Sequence, residues 1–340
     1  MSKTLYFRYD RINKNDSVDT IYEKLVFNTG NLVYDAAISQ LFDCNVADRS
    51  VIDKINIDNY SKIIIMDLCY ISNVRDFSFL VPLFEKCKKK GIEIVPLSVG
   101  VQRGFCEKNY TLPDQQRYLL KILEEMGTIA TRGNFTAEVL EKNNIKNVKV
   151  VGCPSFFINK DTPFWFKEKD NIEKNDCICN YHKILPSSNT YLLQYFYENS
   201  QCFIEQQIKY FDTFDVYKKV FSNSILNFFI NKAKIFYNYQ EWKSFLDNNQ
   251  FYFSFGPRMH GNVMSILSGI KSLVIVNDER KKELCEYAKI PFILSKDFDI
   301  SKSISYYYDK ADYSSFISNY STIWSNFKDY IKERGLILKA

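Results

Sequence analysis

Short apolar runs alternating with amphipathic stretches constrain this chain more than any single residue does. Lys62 to Leu68, built around Ile63-Ile64-Ile65-Met66, and Ile92 to Val99 each read as a strand buried on both faces. Ser78 to Lys90, Gln115 to Met126 and Phe135 to Asn143 read as intervening helices, the first two closed by Gly91 and Gly127. Shorter strands are expected at Thr4 to Arg8, Thr128 to Thr131 and Val148 to Val151. A helix following Asn28-Thr29-Gly30-Asn31 carries Leu32, Val33, Ala36, Ala37 and Leu41. Buried strands joined through helices require a parallel sheet covered on both faces, the doubly wound α/β arrangement.

The same grammar restarts after an interruption. Cys153-Pro154-Ser155 ends the last strand of the first unit, and the polar stretch Asn159 to Asn175, with Pro163, suits a linker whose Phe164, Trp165 and Phe166 dock on a domain surface. Strands are then expected at Asp176 to Tyr181, Gln201 to Gln206, Ala233 to Tyr237, Phe251 to Phe255, Lys271 to Val276 and Phe292 to Leu294. Helices are expected at Thr190 to Glu198, Thr213 to Lys232, Tyr239 to Asp247, Asn262 to Leu267 and Arg280 to Ala288, with a long terminal helix at Tyr313 to Arg334. A length of 340 residues fits two such units. The expected organisation is a Rossmann-like domain over 1–158, a linker over 159–175, a second Rossmann-like domain over 176–312 and a C-terminal helix over 313–340. Two such sheets face a central cleft, and ligands bind beyond the carboxyl ends of their strands.

Composition excludes several function classes. No apolar run approaches the roughly 20 residues of a membrane span, and no signal-type segment opens the chain, so a cytoplasmic protein is expected. The net charge of +5 is modest, and the cluster Lys86, Lys88, Lys89 and Lys90 closes a helix, so no nucleic-acid partner is expected. A weak pull toward an anionic lipid surface stays open. The nine cysteines are scattered, with no Cys-x-x-Cys, and read as buried free thiols rather than a metal site. No Walker loop, no dinucleotide fingerprint and no Asp-x-Asp metal motif stands out, so neither a cofactor nor a metal is expected.

The chemistry concentrates in Phe251-Tyr-Phe-Ser-Phe-Gly256-Pro257-Arg258-Met259-His260-Gly261-Asn262, which holds one of only two histidines. A strand broken by Gly256-Pro257 and followed by a helix start makes an anion site, because free backbone N–H groups and the helix dipole face one point. Arg258 adds a fixed cation, and His260 adds a group able to move protons near neutral pH. Other candidates occupy equivalent strand ends: Gly30 and Asn31, Gly100 and Gln102, Arg132, and Asp278 and Glu279. Each has a plainer reading. Arg132 can pair with a nearby carboxylate, Arg258 can tie its loop to Asp278, Gln102 can cap a helix, and Asp278 and Glu279 can be solvated turn residues. His182 reads as a surface histidine.

The ordered motifs resemble the polysaccharide pyruvyltransferase family over about Asn28 to Pro291. They are Pro96-Leu-Ser-Val-Gly100-Val-Gln102, Ile129-Ala-Thr-Arg132-Gly133 with Gly152-Cys153-Pro154-Ser155, and Gly256-Pro-Arg258-Met-His260-Gly261 with Ser268-Gly269. The chain departs from the family at Gly133, where an aspartate or glutamate is common, and after Gly30, where an acidic residue is often found. The resemblance implies a GT-B-like pair of Rossmann-type domains, acceptor side first and donor side second. It implies transfer of pyruvate from phosphoenolpyruvate to a sugar of a bacterial surface-polysaccharide precursor, such as a capsule or exopolysaccharide unit, giving a cyclic ketal. His260 would be the acid/base, Arg258 and Arg132 would bind anionic groups, and a lipid-linked acceptor would be met at the inner membrane face. A glycosyltransferase using a nucleotide sugar in the same cleft is the alternative, and a non-catalytic scaffold in polysaccharide assembly is a third.

Overall fold

The computed structural model describes residues 3–13, 15–102, 110–181, 190–206 and 222–339. His182 and positions 213–221 of an expected helix lie outside them. The strands are β1 Thr4–Arg8, β2 Asn45–Asp48, β3 Lys62–Ile65, β4 Glu93–Pro96, β5 Ile129–Thr131, β6 Val148–Val150, β7 Cys177–Tyr181, β8 Cys202–Glu205, β9 Ala233–Lys234, β10 Phe253–Gly256, β11 Lys271–Val276 and β12 Phe292–Leu294. The described helices are α1 Val18–Lys24, α2 Asn31–Leu41, α3 Val81–Lys90, α4 Asp114–Met126, α5 Asn134–Lys142, α6 Thr190–Asn199, α7 Asn223–Asn231, α8 Tyr239–Asn248, α9 Met259–Leu267, α10 Glu279–Ala288, α11 Ile304–Asp309 and α12 Ser314–Glu333.

Two parallel sheets result. The first runs β2-β1-β3-β4, and the second β12-β11-β10-β7-β8-β9. The short pair β5-β6 prolongs the first through Val99, whose N–H donates to the Ala130 carbonyl while its own carbonyl accepts the Arg132 N–H, both at 2.9 Å. All described ladders are parallel, so each half presents its strand ends to one side.

Several boundaries differ from expectation for local reasons. Strand β3 stops at Ile65 because Asp67 starts a 3₁₀ turn and pairs with Arg49 at 2.5 Å. Edge strand β2 is polar and not buried, which erases the apolar signal. Helix α9 begins at Met259 rather than Asn262, so His260 lies within its first turn. The expected strand Ala233 to Tyr237 shortens to β9, whose register with β8 ends at Ile204–Lys234. In the linker, Phe164 packs edge-on to Phe316 and Phe166 lies 4.1 Å from the Tyr313 ring, while Trp165 remains 66% exposed.

One apolar core is confined to the first half, and a second runs continuously through both. Helix α12 makes that continuity. Its buried stripe includes Phe316, Tyr320, Trp324, Phe327 and Ile331, a helical period. Phe327 stacks on Phe157 at 4.7 Å, and the Trp324 indole donates to Asp161. Although it follows the second unit in sequence, α12 returns to the first sheet. Tyr330 Oη donates to the Pro96 carbonyl at 3.0 Å, and the buried Arg334 guanidinium binds Glu93 and the carbonyls of Ile94, Met126 and Thr128. None of the described helices is long and apolar enough to cross a membrane.

Because Arg334→Ala strands these buried acceptors, it is expected to lower folding stability by about 2 kcal/mol. The check is a shift of the urea midpoint at unchanged slope.

Candidate active site

The site begins with one backbone conformation. Gly256 closes β10 at φ +141°, and a Cβ there would lie 1.9 Å from the Asn180 carbonyl oxygen, so only glycine can let the chain leave the strand at this angle. Asn180, at the end of β7, shapes the turn that follows. Its Oδ1 accepts the Arg258 N–H at 2.7 Å, and its Nδ2 donates to Asn262 Oδ1 at 3.1 Å. Asn262 Nδ2 donates to the carbonyls of Gly256 and Arg258, each at 2.8 Å, and Ser272 Oγ donates to Asn262 Oδ1. Arg258 is thereby set as the N-cap of α9, with no side-chain hydrogen bond covering the first-turn amides. The N-terminus of α9 offers donors and a positive dipole end toward the cleft.

A cavity of about 470 Å³ opens there between the halves. From the first half it is lined by Asn31, Tyr34, Tyr70, Arg75, Gln102 and Arg132, and from the second by Gln206, Arg258, His260, Asp278, Arg280 and Lys281, among others. Arg132 is 2% exposed, with Nη2 donating to Tyr34 Oη at 2.7 Å and to Ser98. No carboxylate among the described residues pairs with it, and its Nε has no protein partner there. Arg280 reaches across from α10 to the Cys69 carbonyl at 3.2 Å and lies over the Tyr70 ring at 4.8 Å, with its Nε also unpartnered among the described residues. The buried Gln102 Oε1 and Gln206 Nε2 likewise lack partners among the described residues. Among the described residues the only lining carboxylate, Asp278, caps α10 through the Lys281 N–H and pairs with Lys281 Nζ at 2.9 Å. Burial works against its charge, but Lys281 and Arg280 outweigh this and hold the carboxyl below its usual range. The cavity is thus strongly cationic, with fork-shaped donors suited to carboxylate or phosphate.

The candidate residues sort into two groups. Asn31, Gln102, Arg132, Arg258, His260 and Asp278 line the cavity. Gly30, Gly100, Gly256, Gly261 and Glu279 do not. The glycines instead let lining side chains lie against backbone: a Cβ on Gly30 would meet His260 Nδ1 at 2.8 Å, one on Gly100 would meet Arg132 Nε at 2.5 Å, and one on Gly261 would meet Gln206 Nε2 at 2.9 Å. Glu279 faces Lys282 at 3.7 Å. Asp278 engages Lys281. Arg75, Arg280, Lys281, Gln206 and Asn180 carried no assigned role in the sequence. Arg280 did stand in the strand-end segment Asn277–Arg280, and its type was the available signal.

His260 also differs from expectation. Its ring sits edge-on to Tyr34 with centroids 4.6 Å apart. Burial first, then the guanidiniums of Arg132, Arg280 and Arg258, lower its pKa from the ordinary 6.5 to about 3. The free site therefore holds a neutral imidazole rather than one poised near neutrality. An anion among the same guanidiniums offsets their charge and raises the imidazole again.

Three comparisons bear on identity. A family model described as "Polysaccharide pyruvyl transferase" matches residues 28–279. No curated protein matches the chain significantly. Among solved structures, a Listeria monocytogenes protein assigned as a UDP-N-acetylglucosamine 2-epimerase is similar over 98% of this chain and 97% of its own, at 10% identity and a TM-score of 0.51. The S. aureus MnaA–UDP co-structure is similar over 96% and 98%, at 10% identity and a TM-score of 0.50. At such identities the likeness speaks to fold alone: two Rossmann-like halves in a GT-B-like arrangement.

The low His260 pKa has a sign. The unfolded chain takes up a proton near pH 6.5 and the folded chain only near 3, so stability present above 6.5 is lost as pH falls through that window. His260→Gln is expected to flatten the decline of ligand-free melting temperature between pH 6.5 and 4, measured against wild type.

Proposed function

The chain belongs to the polysaccharide pyruvyl transferase family, and on that premise we propose that it transfers pyruvate from phosphoenolpyruvate to a sugar of a bacterial surface-polysaccharide precursor. The observation that carries this reading is the convergence of Arg132 and Arg75 from one half with Arg258, Arg280 and Lys281 from the other, around a single carboxylate already paired. Such a cavity suits a small ligand bearing both a carboxylate and a phosphate. Arg258 and Arg132 bind these groups, and Arg280 joins them.

His260 takes up a proton when the anion arrives and delivers it to C3 of the enol, leaving C2 cationic. A sugar hydroxyl attacks C2 and loses its proton to the imidazole. The C2–O bond to phosphate breaks, and a second hydroxyl closes the ring. Two hydroxyl protons are released overall: one balances the methyl group formed at C3, the other leaves with phosphate. The arginines stabilise charge on the departing phosphate in a site shielded from bulk water.

The acceptor enters from a neighbouring cavity of about 330 Å³ that shares Tyr9 with the first. Asp35, Ser39, Gln40, Asn238 and Tyr239 there offer carboxyl, hydroxyl and amide groups matched to sugar hydroxyls. A lipid-linked oligosaccharide met at the inner face of the cell membrane fits this role, with no cofactor or metal called for.

Calorimetric titration with phosphoenolpyruvate and, separately, with nucleotide sugars tests the donor. Binding of phosphoenolpyruvate that Arg258→Ala weakens is the expected result, and binding of nucleotide sugars alone would transfer the site to a glycosyltransferase reading. With an acceptor in hand, His260→Ala is expected to lower kcat by about 10²–10⁴-fold, measured as phosphate release. Full turnover in either variant would remove the assigned roles.

A further inference from the structure

Gly133 is the N-cap of α5 and directly follows Arg132, yet it has no side chain to cap with. The space is filled from the other half. A Cβ on Gly133 would lie 2.5 Å from Glu283 Cβ and 2.7 Å from its Cγ and Oε2. Glu283, on α10, is 3% exposed, and its carboxylate accepts the Thr136 N–H at 2.8 Å and the Thr136 hydroxyl at 2.7 Å. Thr136 is the third residue of α5, the amide that an N-cap side chain normally covers. The Thr136 hydroxyl in turn accepts the Val101 N–H at 3.0 Å, next to the cavity residue Gln102. One turn before Glu283 on the same helix, Arg280 reaches Cys69. Helix α10 therefore meets the first half through Arg280, Glu283 and Tyr287, whose hydroxyl donates to the Val150 carbonyl, and the first of these is seated in the cavity.

We propose that Glu283 is a positioning residue. By capping α5 from the opposite half, it holds Arg280 and Arg258 at the separation from Arg132 at which all three can bind one anion. This rests on the cavity being the donor site proposed above. A purely structural account assigns Glu283 only the capping of α5. The two accounts separate when the cap is returned to its own strand-helix junction. Asp at 133 can cover the Thr136 amide locally, provided the Glu283 Cβ is removed to make room.

The experiment compares Glu283→Gln, Glu283→Gly and the double variant Gly133→Asp/Glu283→Gly. Phosphoenolpyruvate and a nucleotide-sugar panel serve as probes, with melting temperature measured in parallel. Glu283→Gln keeps the pairing with one bond reversed, its Oε1 accepting the Thr136 N–H and its Nε2 donating to the Thr136 hydroxyl oxygen, and is expected to bind within about twofold of wild type, whereas Glu283→Gly weakens binding about tenfold. The double variant is expected to regain the melting temperature lost by Glu283→Gly but not the affinity. With acceptor present, the loss appears in KM rather than kcat. Affinity that returns with the local cap, or that Glu283→Gly never loses, would overturn the proposal. Should Glu283→Gly fail to fold, the double variant against Glu283→Gln decides alone. If the donor reading itself is wrong, wild type binds a nucleotide sugar instead, and the same variants are read on that ligand. Ligand-free amide exchange over Arg280 to Leu284 gives an answer that needs no ligand: it should quicken in the double variant, and unchanged exchange would count against the proposal.

Discussion

A buried guanidinium with no paired carboxylate is costly to hold, and among the described residues Arg132 has none. Its hydrogen bonds go to dipoles, the Tyr34 hydroxyl and the Ser98 carbonyl and hydroxyl, with backbone brought close because residue 100 has no Cβ, and the Glu283 carboxyl adds a favourable charge at longer range. Arg258 and Arg280 arrive from the second half and add like charge. Left to electrostatics, the two halves would part at this point. Against this stand the Arg280 contact to Cys69 at the cavity wall and, outside the cavity, the Glu283 carboxylate on α5 and α12 bound to the first sheet. The apolar core shared by both halves supplies the non-directional part of that attraction. Repulsion among these cations is thus opposed by contacts elsewhere in the fold, which leaves positive charge concentrated in the cavity. Burial first, and then the same field, hold the His260 imidazole well below its ordinary pKa.

The parts of this arrangement that were legible in the sequence are those with a local cause. Strands such as β7, β10 and β11 are buried on both faces and rich in apolar residues, and they announce themselves as runs. The break after β10 was legible because Gly256-Pro257 cannot continue a strand, and the residues beyond it, Arg258 and His260, are of a kind that chemistry uses. The order of three weak motifs along the chain carried the family, which the match over residues 28–279 bears out.

What was not legible has a distant cause. The N-cap of α9 depends on Asn180, which lies 78 residues before Arg258 and on another strand. No window of sequence contains both. The acidity of His260 depends first on its burial and then on guanidiniums from three separate strand ends, none of which a reading of its type alone can supply. Arg280 was hidden by periodicity. Within α10 any residue type can face any direction until α5 is packed against it, and only then does the Arg280 and Glu283 face turn toward the first half. Glycine at 133 looked like a missing acid, because the carboxylate that occupies its place belongs to a residue 150 positions away.

The return of α12 to the first sheet has a consequence for synthesis. Tyr330 and Arg334 satisfy carbonyls at Pro96, Ile94, Met126 and Thr128, and Phe327 covers Phe157. During translation the first half leaves the ribosome long before these partners exist. Its sheet can form as the chain emerges, since its strands and helices are contiguous, but a polar and apolar seam stays uncovered until the last turn of α12 is made. Folding of the first half thus waits on residues translated long after it, and a nascent chain stalled ahead of Arg334 exposes that seam to chaperones and proteases.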